Sequence, residues 1–141
     1  MAESYLIVVD ADAIIARANP DDVNHQKSLE ISKKLETLQA NLLYPRAAVL
    51  EAVTFIQRVL NSNASAYATA VEFLDPNINI VDSDSQIYSI AVKNYFSAKT
   101  SKKNTLFDCL IAATAQNYNA DAIFSFDKFY KKKGFKLASD L

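Results

Sequence analysis

The sequence predicts an α/β fold in three layers, with helices covering both faces of a mostly parallel sheet of roughly five strands. Two observations carry this. Short apolar runs alternate along the chain with stretches whose apolar residues recur at helical spacing. Strands separated by helices imply crossover connections, which place strands parallel and bury the sheet on both sides. The length, 141 residues, suits one domain spanning 1–141. Half of the residues are apolar and 22% are charged, enough to build a core.

Tyr5–Val9 is a continuous apolar run ending at Asp10, as expected of a buried strand. Within 26–39, Ile31, Leu35 and Leu38 form a helix face. Asn41–Tyr44 is too short to assign alone, but Pro45 suits the first turn of a helix running through Val49, Val53, Ile56 and Leu60. Asn61-Ser-Asn63 breaks it. Tyr67, Ala70, Val71 and Leu74 make a short helix closed by Asp75-Pro76. Ile78–Val81 reads as a strand, and Tyr88, Ala91, Val92, Tyr95 and Phe96 as a helix. The polar stretch Ser97–Asn104 reads as a loop or hinge. A helix through Phe107, Leu110, Ile111, Thr114, Ala115 and Tyr118 follows, then a strand over Ala122–Phe126. Lys128–Lys133 forms a short helix ended by Gly134, and Phe135–Ala138 a last strand. There is no internal repeat or linker.

Composition removes several function classes. Gly134 is the only glycine, so neither a Walker loop nor a dinucleotide-binding Gly-x-Gly-x-x-Gly can be built. One cysteine, Cys109, and one histidine, His25, cannot make an internal disulfide or a Cys/His zinc site. Cys109 lies in an apolar helix and reads as core; His25 reads as a solvated residue near a helix start. A Ser-His-Asp hydrolase would need His25 as its base and a Gly-x-Ser-x-Gly elbow that is missing. No stretch approaches the ~18–20 apolar residues of a membrane helix. Glu3 stands where a signal peptide carries positive charge, so a cytoplasmic protein with no membrane partner is expected. Residues 1–92 hold six Lys/Arg against twelve Asp/Glu, whereas 93–141 hold nine against four. An acidic half suits a cation and a basic half a polyanion, although a lysine run can also be a plain solvated helix face.

The acidic residues fall in informative places. Asp10 and Asp127 each follow an apolar strand, at the carboxyl ends where parallel sheets bind ligands. Asp12 stands two residues after Asp10. Glu51 is the only charge between Arg46 and Arg58, and Asp108 opens an apolar helix. Each has an ordinary explanation: Asp10 and Asp127 as helix caps, Asp108 as partner of Thr105 in a capping box, and Glu51 at a helix border with its head in water. Capping one at a time does not explain why several should meet at one end of a sheet. Gathered carboxylates repel unless a cation intervenes, and magnesium or manganese takes oxygen ligands of this kind, often with substrate phosphate.

Val8-Val9-Asp10-Ala11-Asp12, Glu51 in Val-Leu-Glu-Ala-Val, Asp108 in Phe-Asp-Cys-Leu-Ile-Ala-Ala-Thr-Ala, and Ser125-Phe-Asp127-Lys-Phe-Tyr together resemble a PIN-domain ribonuclease. The likeness is greatest to the VapC-type toxins of toxin–antitoxin pairs. It covers nearly the whole chain, in order; Ala11 departs from it, where the family usually has a hydroxyl residue. The resemblance implies a PIN-like fold and a site in which Asp10, Glu51, Asp108 and Asp127 hold Mg2+ or Mn2+ and are catalytic. Ser125 and Asp12 would orient those ligands or a bound water. It implies hydrolysis of phosphodiester bonds in single-stranded or structured RNA, a homodimer, and a cognate antitoxin. The lysines Lys128, Lys131, Lys132 and Lys133 would hold the RNA backbone.

Two other functions stay open at this point. Asp10-Ala-Asp12 after a strand is also close to the opening motif of haloacid-dehalogenase-type phosphatases, with Asp10 as nucleophile. That reading leaves Glu51 idle and lacks the glycine its late motif needs. A non-catalytic PIN-like RNA-binding module would keep the fold without the chemistry.

Overall fold

The computed structural model describes residues 4–141, so Glu3 lies outside the described residues. Strand β1 (Leu6–Val9) runs into α1 (Ala11–Ala18), followed by α2 (His25–Thr37). Strand β2 (Asn41–Pro45) feeds α3 (Arg46–Arg58) directly, then α4 (Asn63–Glu72). Next come β3 (Asn79–Val81) and α5 (Ser85–Ile90), which continues as a π-helical turn over Ala91–Tyr95. After the loop come α6 (Leu106–Asn117), β4 (Ala122–Phe124), α7 (Phe129–Lys132) and a closing 3-10 turn, Ala138–Asp140.

The strands form one four-stranded, all-parallel sheet in the order β3-β2-β1-β4, flanked by helices. Ile7, Val8 and Ile123 are completely buried at its centre, as continuous apolar runs on a twice-covered sheet must be. Helices α1 to α4 pack on one another, α5 and its π turn pack on α6, and α6 lies against β1.

The expected fifth strand is reduced to a single parallel bridge between Leu137 and Ile123. Leu137 is buried, but the chain turns into the 3-10 helix at once, and Asp140 accepts a hydrogen bond from the Leu137 N–H at 3.1 Å. The helix expected through Phe96 is real, but its last turn widens: the Phe96 N–H reaches the Ala91 carbonyl at 2.9 Å, five residues back. Helices α2, α3 and α6 end through residues with left-handed backbones: Gln39 (φ 54), Asn61 (φ 53) and Asn119 (φ 53). Gly134 (φ 93) ends α7 in a conformation that favours glycine. His25 is less free than a solvated residue: its Nδ1 lies 2.7 Å from the Ala16 carbonyl oxygen, tying α2 to α1.

Candidate active site

The strand register brings the first two side chains together. Val9 pairs with Phe124, so the next residues, Asp10 and Ser125, leave neighbouring strands side by side. The Asp10 N–H closes the ladder on the Phe124 carbonyl at 3.0 Å. Asp10 caps α1, its Oδ1 accepting from the Ala11 N–H at 2.7 Å. Its Oδ2 faces the other way, into a buried polar cluster. Capping and site formation therefore use different oxygens of one carboxylate.

Asp12, in the first turn of α1, reaches across to the end of β4. Its Oδ2 accepts from the Phe126 N–H at 2.8 Å and lies 2.9 Å from the Ser125 hydroxyl. Ser125 Oγ is also 3.2 Å from Asp10 Oδ2 and accepts from the Asp127 N–H at 3.1 Å. One hydroxyl proton cannot serve two carboxylates, so Ser125 donates to the nearer, Asp12. Asp127 opens the turn into α7, its Oδ1 accepting from the Phe129 N–H at 2.9 Å. Asp108 reaches back to the Thr105 N–H at 3.1 Å, the arm of the capping box that the Thr-x-x-Asp spacing predicts.

Two residues that reading the sequence alone assigned no role join these groups. Tyr130, fully buried in α7, donates its hydroxyl to Asp10 Oδ2 at 2.7 Å and stands 3.5 Å from Asp108 Oδ1. Asn104, at the end of the loop, donates from Nδ2 to Asp127 Oδ2 at 2.8 Å and Asp108 Oδ2 at 3.3 Å. Tyr130 lies within the quoted Ser-Phe-Asp-Lys-Phe-Tyr motif, but the buried position of its ring disguises the hydroxyl as core. No local signal marks Asn104.

The electrostatics agree with the geometry. Burial pushes the Asp10 carboxyl well above its usual range; the neighbouring Asp12 and Asp108 charges add to this, and the Tyr130 hydrogen bond opposes it. Burial raises Asp12 to about 6, with the Asp127 charge adding and its hydrogen bonds opposing. Asp108 is raised by burial and by Asp127, against donation from Asn104, Thr105 and Tyr130. Glu51, on α3, joins the group through charge: burial raises it first, then Asp108 and Asp12. All four predicted carboxylates, with Asp12, thus belong to one electrostatic cluster.

No ion pair found among the described residues touches this cluster. Asp12 Oδ1 is buried without a hydrogen-bond partner, an unusual and costly state for a carboxylate oxygen. No three His, Cys, Asp or Glu side chains among the described residues are arranged to enclose a metal ion. What fits a cation is the donor chemistry: hard oxygens, uncompensated charge and an orphaned buried acceptor. Of the C-terminal lysines, Lys131 Nζ pairs with Asp140 Oδ1 at 3.2 Å and Lys133 Nζ lies 5.5 Å from the Phe129 ring centroid.

Comparison with known proteins agrees with this architecture. A family model, the PIN domain, matches residues 7–136. Among curated proteins, none matches the sequence. Solved structures do: VapC20 of Mycobacterium tuberculosis, described as a toxin that cleaves the Sarcin-Ricin loop, superposes with a TM-score of 0.77 at 17% identity, covering 92% of this chain and 95% of that one. FitAcB of Neisseria gonorrhoeae superposes with a TM-score of 0.61 at 19% identity, covering 96% and 99%. VapBC2 of Rickettsia felis, solved with a DNA fragment from its promoter, gives 0.60 at 13% identity, covering 94% and 96%.

Proposed function

This chain belongs to the PIN-domain family, and from that premise we propose that it is a Mg2+- or Mn2+-dependent endoribonuclease, the toxin of a toxin–antitoxin pair acting in the cytoplasm. The observation that carries the reading is the cluster itself. Burial and neighbouring carboxylate charge raise the proton affinity of Asp10, which is buried after β1, and of half-buried Glu51 on α3 and Asp108 on α6. No basic side chain found among the described residues pairs with them.

Asp10, Glu51, Asp108 and Asp127 would hold the ion. An ion so held supplies Lewis-acid activation of a phosphodiester and stabilises its leaving oxygen. Asp12 and Ser125 orient the ligands around it: Ser125 touches Asp10 and Asp12 and accepts from the Asp127 backbone. Tyr130 holds Asp10 Oδ2 and Asn104 holds Asp127 Oδ2, so the carboxylates are aimed before any ligand arrives.

The phosphatase alternative fares poorly. Asp10 is 4% exposed, with one oxygen capping α1 and the other against Tyr130 and Ser125, which is a poor setting for an attacking nucleophile. The likeness to VapC20, described as a toxin, supports a toxin reading. Exposed Leu50, Val59 and Phe107 around the groove beside Glu51 support a homodimer.

The test is cleavage of single-stranded RNA with Mn2+, with and without chelator, beside calorimetric titration of Mn2+ into the chain. Cleavage that needs the ion, with heat of binding, is expected. Mn2+ binding without cleavage of any RNA supports the non-catalytic module instead. Burst release of phosphate from a small phosphomonoester, with RNA left whole, overturns the nuclease reading in favour of the phosphatase.

A further inference from the structure

We propose that the loop 97–104 is the phosphate-binding element that holds the RNA backbone beside the carboxylates. This rests on the endoribonuclease reading and adds to it the place where the polyanion is gripped. An acidic cluster repels a phosphodiester, so a nuclease of this kind needs cations close to its rim. Of the C-terminal lysines, Lys131 is paired with Asp140 and Lys133 lies over the Phe129 ring. Lys128 and Lys132 are exposed and in no ion pair found among the described residues, so a second group of cations can share the task. The loop Ser97-Ala-Lys-Thr-Ser-Lys-Lys-Asn104 carries Lys99, Lys102 and Lys103 and no acidic residue. All three are exposed, and none is in an ion pair found among the described residues.

The loop is also held in place. At its start, Tyr95 in the π turn donates to Gln116 Oε1 on α6 at 2.7 Å. At its end, Asn104 donates to Asp108 and Asp127. Between them, the Ser97 N–H donates to Thr100 Oγ1 at 2.8 Å, the Lys99 N–H to Ser97 Oγ at 3.2 Å and the Lys103 N–H to Ser101 Oγ at 3.3 Å. A loop ordered in advance loses less entropy on binding. Lys103 adjoins Asn104, so its backbone lies about 3.8 Å, one Cα step, from the residue that touches two carboxylates. Lysine ammonium groups grip phosphate as point charges and read no sequence, which suits a backbone contact.

The experiment measures anisotropy of a fluorescein-labelled single-stranded RNA of mixed sequence, in chelator to prevent cleavage, across a salt series. A Lys99→Ala/Lys102→Ala/Lys103→Ala chain should bind about tenfold or more weakly at low salt. Its log–log salt slope should shrink by about two, at roughly 0.7 per phosphate contact on a single strand. The same three positions changed to Arg should restore native affinity and slope, separating charge from loop shape. Native binding by the triple Ala chain, or equal loss in the triple Arg chain, overturns the loop assignment. If the native chain cleaves RNA while the triple Ala chain binds it normally, only the loop assignment falls. If the native chain neither binds nor cleaves RNA, the endoribonuclease reading falls with it.

Discussion

Tyr130 and Asp10 are 120 positions apart in sequence, and the Tyr130 hydroxyl donates to Asp10 Oδ2 at 2.7 Å in a fully buried contact. The same hydroxyl stands 3.5 Å from Asp108, so one neutral donor sits between two carboxylates from different elements. Burial and the surrounding Asp10, Asp108 and Asp12 charges hold its own proton firmly, raising Tyr130 well above its usual range. Tyr130→Phe keeps the ring in the core and removes only the donor. Stability should fall by about 1–3 kcal/mol, as for a buried acceptor losing its partner. Mn2+ affinity should fall about tenfold, in the range seen when a ligand loses its support. Chemical denaturation and calorimetry check both; an Mn2+ isotherm identical to the native one would show that Tyr130 is packing alone.

Asp108→Asn keeps the shape of the side chain and its acceptor for the Thr105 N–H, so the fold should survive. Cleavage of RNA should drop by more than about a hundredfold, beyond the loss typical of supporting residues. Initial rates with Mn2+, alongside a thermal melt, give the answer; native-rate cleavage removes Asp108 from the proposed ligands.

Ser125→Ala removes the hydroxyl that touches Asp10 and Asp12 and accepts from the Asp127 N–H. Cleavage should fall about 10- to 100-fold with the fold intact. Ser125→Thr should recover most of it, because the hydroxyl returns. Equal loss in both variants would point to a packing defect.

The pH dependence of stability follows from Asp12, which is raised from 3.8 to about 6 by burial, with Asp127 adding. Its proton is held more tightly in the folded chain than in the unfolded one, so the folded state is disfavoured once Asp12 ionises. In chelator, stability should therefore fall as pH rises from about 4 to about 6, with Asp12 contributing on the order of 3 kcal/mol and the likewise raised Asp10, Asp108 and Glu51 adding to the fall. Asp12→Asn should make that fall shallower by its own share, and Mn2+ at pH 7 should recover stability in the native chain. Urea melts across the range test it; a native curve that rises through the window contradicts the assignment.

The local facts were legible in the sequence: apolar runs ending in Asp10 and near Asp127, helical periodicity around Glu51 and Asp108, and Thr105 three residues before Asp108. Side-chain period and capping chemistry act over a few residues, so they leave local marks. The sheet order β3-β2-β1-β4 and the Val9–Phe124 register were decided by packing across the whole chain, and they alone set Asp10 beside Ser125. The same packing leaves Phe135–Ala138 as one bridge at Leu137, because the chain turns there instead of extending. It also turns a core tyrosine and a loop asparagine inward onto carboxylates. A hydroxyl at the end of a buried ring, or an amide at the end of a loop, acquires its partner only when distant segments meet, and no periodicity records that meeting.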